Sequence, residues 1–275
     1  MARVETFDVE VRRLKPAAHD EPYEEMTMLG KRTIVAAMMA AMVCSASVAL
    51  ADGGTIKGVA KWEGKAPTRK PLKGVDGADP YCTKQHKKNP ILNEKLVINE
   101  NSTVRDVFVY VKSGLPAGKT WPVTAEPVVL NQTGCHYEPH IFGIMAGQEL
   151  KIRNSDNTPH NINAQPKRSE GFNTGQPKKG MEFSRTFDTP EQMVKIKCDV
   201  HSWMSAYCAV MEHPFFATTD ENGNFEITGL PDGTYVIATW GERFKKGQEM
   251  TVTISGSETQ EVEFVFKRPK KKKKG

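Results

Sequence analysis

Short segments in which apolar and polar residues alternate recur along this chain of 275 residues. The clearest are "GTIKGVAKWEG" at 54–64 and "VRDVFVYVKSG" at 104–114, and each of them ends in glycine. A period of two residues is typical of β-strands, and regularly spaced turn residues are typical of sandwiches and barrels. Outside one N-terminal stretch we detect no long helical periodicity. The sequence therefore predicts an all-β fold made of β-sandwiches.

Residues 1–51 have the composition of a leader followed by a signal peptide. Lys31 and Arg32 precede the apolar run "TIVAAMMAAMV", and "ALA" at 49–51 supplies the small residues of a cleavage site. A membrane anchor is the alternative, although the apolar run is short for a span. We expect the mature protein to be periplasmic or extracellular, where an oxidising environment preserves disulfides.

The positive charge of the chain is concentrated at its C-terminal end. The net charge is +5, but seven positive side chains lie between positions 267 and 274, and without them the net charge is −2. A nearly neutral body gives no reason to expect nucleic acid as a partner. We predict that 268–275 form a disordered basic tail, which either aids solubility or makes weak contact with an anionic membrane or wall polymer.

The stretch "IKCDVHSWMSAYC" at 196–208 carries the candidate chemistry. Cys198, His201 and Met204 follow one another at intervals of three, and His160 stands 38 residues before the cysteine, just after a strand-like run. Two imidazoles and a thiolate, with a weak thioether ligand, are the donors of a blue-copper site and suit both oxidation states of copper. Zinc is the rival metal. An enzyme with Cys198 as nucleophile is a further alternative, but no orienting Asn or Asp is identifiable.

The segments "IRNSDNTPHNINA" and "IKCDVHSWMSAYCAVM" resemble the cupredoxins, especially the amicyanin and plastocyanin type, over residues 122–212. The resemblance implies a Greek-key β-sandwich that binds one type 1 copper. The implied ligands are His160, Cys198, His201 and Met204. Asn161 matches an asparagine that ties the two ligand loops together in that family. Asp199 replaces a threonine of the short amicyanin loop, so we expect its charge either to lower the reduction potential or to weaken a hydrogen bond beside the thiolate.

The same resemblance implies a one-electron carrier and not an enzyme, with redox proteins as its partners. The ring edge of His201 would reach the surface and pass the electron. Trp203 and Met211 are candidates for an apolar docking patch around it, although both could equally be core residues. The alternatives are a non-redox copper-binding or delivery protein, and a structural or glycan-binding β-sandwich.

Three cysteines of the expected mature chain lie outside the motif's ligand set. We favour a disulfide between Cys82 and Cys135 over a zinc site, because exported cysteines oxidise and the sequences around them match no zinc spacing. Closing that loop is worth on the order of 4 kcal/mol in the chain-entropy view. We expect Cys208 to be unpaired and to pack as a small buried apolar residue.

The segment "TTDENGNFEITGLPDGTY" at 218–235 resembles carboxypeptidase regulatory-like domains, which are small Ig-like or transthyretin-type β-sandwiches. Gly223 and Gly233 are expected to supply turn conformations in this second sandwich. The residues expected to point into its interior are Phe225, Ile227, Leu230 and Tyr235.

These resemblances divide the chain into segments. We predict an N-terminal β segment at 52–121, the cupredoxin domain at 122–212 and the second sandwich at 213–267. Because "GTIKGVAKWEGKAP" resembles the first strand of the regulatory-like family, the first and last of these segments are expected to form one sandwich into which the cupredoxin domain is inserted. The polar stretch 165–181, rich in Gly, Pro and Lys, is expected to be a loop.

Overall fold

The computed structural model describes residues 9–13, 53–75, 77 and 79–268. The predicted signal peptide and the basic tail beyond Arg268 lie outside these residues, so both stay predictions, whereas residues 9–13 of the predicted leader form a described strand. Within the described residues, no helix is long and apolar enough to cross a membrane. Almost all regular structure in this part of the chain is β-sheet, which confirms the predicted all-β class.

The described residues form one short helix, α1 (Pro80–His86), and a series of strands that pair into two β-sandwiches. In chain order the strands are β1 (Val9–Arg13), β2 (Gly54–Glu63), β3 (Val97–Ile98), β4 (Val104–Arg105), β5 (Phe108–Ser113), β6 (Val128–Thr133), β7 (His136–Glu138), β8 (Ile141–Met145), β9 (Leu150–Asn154), β10 (His160–Gln165), β11 (Phe172–Gln176), β12 (Glu182–Arg185), β13 (Glu191–Lys197), β14 (Ser205–Met211), β15 (Phe216–Thr218), β16 (Asn224–Leu230), β17 (Gly233–Trp240), β18 (Glu249–Ile254) and β19 (Thr259–Lys267).

The first sandwich is built from strands that lie near both ends of the sequence. One sheet has the order β1-β19-β2-β16, and the other has the order β15-β5-β17-β18. Strand β2 runs parallel to β19 and antiparallel to β16. Ile56, Phe264 and Tyr235 are fully buried in the core between the sheets. The residues predicted to face inward are all buried in this core: Phe225, Ile227, Leu230 and Tyr235.

The second sandwich is built from strands β6 to β14, which fall between the two parts of the first sandwich in the sequence. Its sheets have the orders β11-β10-β13-β14-β8 and β12-β9-β6-β7. Leu130 and Ile152 of one sheet and Ile162 and Ile196 of the other are fully buried in a shared core. This is the arrangement that an inserted domain produces. We therefore propose the insertion, with the boundaries predicted from the sequence.

The two sandwiches meet along a small apolar contact. Phe108 of β5 and Trp240 of β17 belong to the same buried cluster as Ile141 of β8 and Ala209 of β14. Strands β5 and β15 of the first sandwich both contact β8 of the second. The contact is mainly apolar, and polar side chains border it at one edge, where His140 faces a carboxylate of the first sandwich.

Two local predictions are wrong. The stretch 165–181 is not entirely loop, because Phe172–Gln176 form β11, which pairs antiparallel with β10. This strand lies at the edge of its sheet and keeps most of its side chains at least partly exposed, so its sequence lacks the alternation that marks a strand. Gly233 does not adopt a positive φ, whereas Gly223 does, at 81°. Gly233 instead opens β17 beneath the ring of Tyr235.

A segment that we call the lid, residues 64–75 and 79–93, lies across one end of the second sandwich. The Cys82–Cys135 disulfide ties its helix α1 to the turn between β6 and β7, which confirms the predicted bond. Both cysteines are fully buried, and Val75 and Tyr81 pack around them. The lid therefore covers the sandwich with a small apolar cluster of its own.

Candidate metal centre

His160, Cys198 and His201 converge at one end of the second sandwich. His160 is the first residue of β10, Cys198 directly follows β13, and the loop from β13 to β14 carries His201. Because β10 and β13 are antiparallel neighbours, the start of one strand lies beside the end of the other. One possible ligand atom from each residue lies within 4.8 Å of the other two.

The three side chains face one another at a buried position. His160 Nδ1 lies 2.9 Å from His201 Nδ1, and Cys198 Sγ lies 3.9 Å from that same nitrogen of His201. Their exposed fractions are 1%, 2% and 1% for His160, Cys198 and His201. Polar groups buried this deeply need partners, and here a large part of their partners are one another.

Met204 occupies the core of the second sandwich at the end of the same loop. Its side chain is 1% exposed and belongs to the same apolar cluster as Cys198. Its backbone closes the loop, since Met204 N donates to His201 O at 2.9 Å and Cys198 N donates to Met204 O at 3.3 Å. Its role as a fourth ligand stays a prediction.

Asn161 connects strand β10 to the cysteine loop, as predicted. Its Oδ1 accepts hydrogen bonds from Asp199 N at 2.6 Å, from Val200 N at 3.3 Å and from Cys198 Sγ at 3.2 Å. His201 N in turn donates to Cys198 Sγ at 3.3 Å. The loop is therefore positioned by hydrogen bonds within the protein.

The carboxylate of Asp199 is held by neighbouring amides and a lysine. Its Oδ2 accepts from Asn163 Nδ2 and Asn173 Nδ2, each at 2.8 Å, and from Asn161 Nδ2 at 3.3 Å. Lys197 Nζ lies 2.8 Å from Oδ1 and is the largest of the effects that hold the pKa of this carboxyl well below its usual range. The lysine thus sets a positive charge beside the negative charge that the sequence places next to the thiol.

Asp156 lies behind His160, and the sequence did not predict its role. Its Oδ2 lies 2.9 Å from His160 Nε2 and accepts a hydrogen bond from Cys135 N at 2.8 Å, while Oδ1 accepts from Gly134 N at 2.8 Å. A carboxylate that bonds the outer nitrogen of an imidazole fixes the tautomer of the ring. It also makes the other nitrogen a stronger ligand for a metal. The sequence contains one indication of this contact, the spacing of four residues between Asp156 and His160. Because Asp156 lies in a turn, that spacing does not predict which way its side chain points.

Burial and hydrogen bonding act in opposite directions on Cys198. Burial raises the pKa of its thiol, but hydrogen bonds involving His160, His201 and Asn161 outweigh burial and lower the pKa to about 6. For His160, burial lowers the pKa of the ring, and its bonds to Asp156 and Cys198 outweigh burial and raise it. The hydrogen bonds around Cys198 therefore favour its thiolate, the form that binds metals, relative to an ordinary thiol.

The ring edge of His201 does not reach the surface, so this expectation from the resemblance is wrong. Its outer nitrogen, Nε2, lies 3.9 Å from Cys82 Sγ and 3.7 Å from Asp79 Oδ2, both of which belong to the lid. The ring of Trp203 lies 4.8 Å from that of His201, and Trp203 Nε1 donates to Cys135 O at 2.9 Å. The disulfide holds the lid over the side of the ring that would otherwise meet solvent.

Other candidate residues lie away from this cluster or are already bonded. Cys208 is free and fully buried, as predicted, and burial raises the pKa of its thiol well above the usual value. Cys82 lies near Asp79 and His201 in a second group of possible metal donors, but the disulfide occupies its sulfur. Met211 packs at the contact between the sandwiches and does not join a patch around His201.

No family model matches the chain, and no curated protein matches it. Among solved structures, the copper-containing nitrite reductase from Thermus scotoductus SA-01 is 20% identical with a TM-score of 0.30, and the match covers 36% of this chain and 25% of that one. The purple cupredoxin from Nitrosopumilus maritimus is 21% identical with a TM-score of 0.27, covering 30% of this chain and 98% of that one. A Cu(I) amicyanin variant is 19% identical with a TM-score of 0.28, covering 38% and 98%.

Each of these matches is confined to less than two-fifths of this chain, and the first spans about a quarter of the nitrite reductase. The resemblance of the first sandwich to carboxypeptidase regulatory-like domains stays a prediction.

Proposed function

We propose that the protein binds one copper ion through His160, Cys198 and His201, with Met204 as a weak fourth ligand, and that it carries single electrons. The observation that carries the proposal is the convergence of two imidazole nitrogens and one thiol sulfur within 4.8 Å of one another at a buried position. Two imidazoles, a thiolate and a distant thioether are the donors of blue-copper electron-transfer sites.

The donor chemistry of the cluster fits copper better than zinc. Structural zinc takes four strong nitrogen, sulfur or oxygen ligands, whereas this cluster offers three. The nearby Asp156 carboxylate is already used by His160 and by two backbone N–H groups. The remaining candidate is the thioether of Met204, a weak ligand that suits copper.

When bound, the copper ion supplies a one-electron change between Cu(II) and Cu(I). The residues around it keep the donors in one arrangement for both states. Asn161 fixes the loop of Cys198, and Asp156 fixes the ring of His160. Donors that are positioned by the protein rather than by the metal need little rearrangement when the charge of the site changes.

Burial of the cluster favours an electron carrier over an enzyme. Catalytic metal sites keep an open position for water or substrate. Here the three donors are at most 2% exposed, and the lid covers the outer edge of His201. A substrate would have to displace the lid, whereas an electron would not.

The proposed carrier would act outside the cytoplasm and serve redox proteins as donor and acceptor. A disulfide in the fold supports an oxidising compartment, because such bonds rarely persist in a reducing one. The first sandwich would present or anchor the copper-binding one.

A visible spectrum of the copper-loaded protein tests the proposal. We expect an intense band from the bond between Cys198 and Cu(II), bleached by ascorbate and restored by an oxidant. Cys198→Ala should abolish the band, whereas Cys208→Ala, which removes the other free thiol from the same core, should retain it. Failure to bind copper, or a band that persists in Cys198→Ala, would refute the proposal.

A copper-binding protein that does not carry electrons is the second candidate function, and the burial of His201 favours it. A carrier of the expected type exposes that ring edge, but here the residue is 1% exposed beneath a disulfide-bonded cover. Tight Cu(I) binding without a reversible visible band would support this function and exclude the carrier.

A further inference from the structure

The lid is a basic region on an otherwise acidic chain. The sequence from 64 to 93 holds seven Lys or Arg and two Asp, a net charge of +5. Without this segment and the seven cations at 267–274, the chain has 24 Lys or Arg against 31 Asp or Glu. Outside the C-terminal tail, the excess of positive over negative side chains is therefore confined to this one segment.

Six lysines of the lid are exposed and carry no ion pair with another described residue. They are Lys65, Lys70, Lys73, Lys84, Lys87 and Lys88. The carboxylate of Asp79 turns inward instead, where it accepts a hydrogen bond from Thr158 Oγ1 at 2.7 Å and lies near His201. The described outer face of the lid thus presents cations with unneutralised charge.

The same segment covers the proposed copper ligand His201. Cys82 of α1 reaches the outer nitrogen of His201 at 3.9 Å, and Lys84 is exposed two positions further along the same helix. A side chain built at Gly74 would meet the ring of Trp203 at 3.8 Å, and that ring lies against His201. A protein that approaches His201 from this side therefore meets the basic lid before it meets the imidazole.

We propose that the outer face of the lid is the docking surface for an acidic redox protein, which exchanges one electron with the copper site through the lid. This inference rests on the proposed function. Reduction would move one electron from the partner to Cu(II), and no bond would form or break. The disulfide covers the site and does not react. Complementary charge speeds association 10- to 10³-fold in a salt-dependent way, and the small contacts of electron-transfer complexes need little area.

Stopped-flow reduction of the copper-loaded protein tests this surface. The lid variant is Lys84→Glu/Lys87→Glu/Lys88→Glu. The matched control is Lys178→Glu/Lys245→Glu/Lys246→Glu, which changes the net charge equally at exposed lysines outside the lid. The probes are anionic hexacyanoferrate(II) and cationic hexaammineruthenium(II), at low and high salt.

At low salt the lid variant should react at least tenfold more slowly with the anionic probe and faster with the cationic one, and high salt should remove both effects. The control should change each rate less than twofold. Equal effects of the two variants, or no effect of the lid variant, would overturn the proposal.

Two further outcomes separate this inference from its alternatives. If the lid variant loses binding to phosphatidylglycerol vesicles while its reaction rates stay unchanged, the lysines serve a membrane and the docking proposal is wrong. Failure of the proposed function appears earlier, as a missing visible band in the unmodified protein. A failure of docking alone leaves that band intact in every variant.

Discussion

At the scale of single residues, Asp156 links a proposed ligand to the disulfide and to the lid. Its carboxylate bonds the outer nitrogen of His160, accepts the backbone N–H of disulfide-bonded Cys135 and receives the hydroxyl of Tyr81 from the lid at 3.4 Å. Burial raises the pKa of Asp156, but its bonds to His160, Cys135 N and Gly134 N outweigh burial and lower it. The residue therefore keeps a negative charge behind the proposed ligand.

We expect Asp156→Asn to raise the reduction potential of the copper-loaded protein, because a neutral amide makes His160 a weaker donor to Cu(II). Removing a hydrogen-bond partner of a metal ligand lowers metal affinity about 10- to 100-fold. If the affinity for Cu(II) falls tenfold relative to that for Cu(I), the one-electron reduction potential rises by about 59 mV. The expected shift is therefore roughly 60–120 mV, measured by voltammetry. Asp188→Asn, at an exposed carboxylate of the same sandwich, should leave the potential unchanged. An unchanged or lower potential in Asp156→Asn would contradict the assignment.

The sequence predicted the residues that converge but not the residues that surround them. Cys198 and His201 share one short loop, so their proximity follows from local spacing alone. Cys82 lies 119 residues from His201 along the chain, and no local pattern indicates that it covers that ring. The role of Asp156 is equally absent from any local pattern, because the direction of its side chain depends on how the turn before β10 packs. The sequence pattern does not predict contacts that depend on tertiary packing.

At the scale of elements, β2 and β5 are the strands through which the two distant parts of the first sandwich pair. Strand β2 lies between β19 and β16, and its close approach to both depends on Gly58. A Cβ at that position would lie 2.5 Å from the Phe225 ring and 2.6 Å from Val262 O. The alternation of apolar residues predicted the strand but could not identify its partners, which lie far along the chain.

Gly58→Ala should destabilise the protein by about 1–3 kcal/mol, the usual cost of forcing atoms into a packed core. Urea unfolding followed by tryptophan fluorescence measures the change. Gly175→Ala is the matched control, because a Cβ there meets no atom within 4 Å and the backbone has no positive φ. If both variants unfold at the same urea concentration, the close packing around β2 is not as described.

At the scale of the whole molecule, His140 joins the two sandwiches. Its Nδ1 lies 2.9 Å from Ser205 O and its Nε2 lies 3.1 Å from Glu242 Oε2. Both of these oxygens are acceptors, so both ring nitrogens carry protons when the two bonds form together. Burial lowers the pKa of His140, but the bond to Glu242 and the charges of Glu94, Glu242 and Asp106 outweigh burial and raise it.

This pair should make stability depend on pH. The pKa of His140 is raised above 6.5, so its contribution is complete below pH 6.5 and is lost as the pH rises through the raised value. For Glu242, burial raises the pKa, but His140 and Lys95 outweigh burial and lower it below 4.5. Its contribution is therefore complete above pH 4.5 and is lost as the pH falls through the lowered value.

Thermal unfolding of Glu242→Gln across this range tests the prediction. We expect the difference in stability between the unmodified protein and the variant to shrink as the pH rises above 6.5, because the pair with Glu242 is lost when His140 releases its proton. Glu221→Gln, at an exposed carboxylate of the same sandwich, should behave like the unmodified protein. Identical profiles for Glu242→Gln and the unmodified protein would show that the buried pair contributes nothing to the junction.

The disulfide-bonded lid also gives the molecule an order of assembly. Oxidation of Cys82 and Cys135 fastens the cover over His201. If the cluster binds copper as proposed, a chain oxidised before copper arrives would enclose unmetallated ligands, whereas a chain that binds copper first would close around it. Metal uptake and thiol oxidation would then compete in time, and their order would decide whether the protein matures with or without copper.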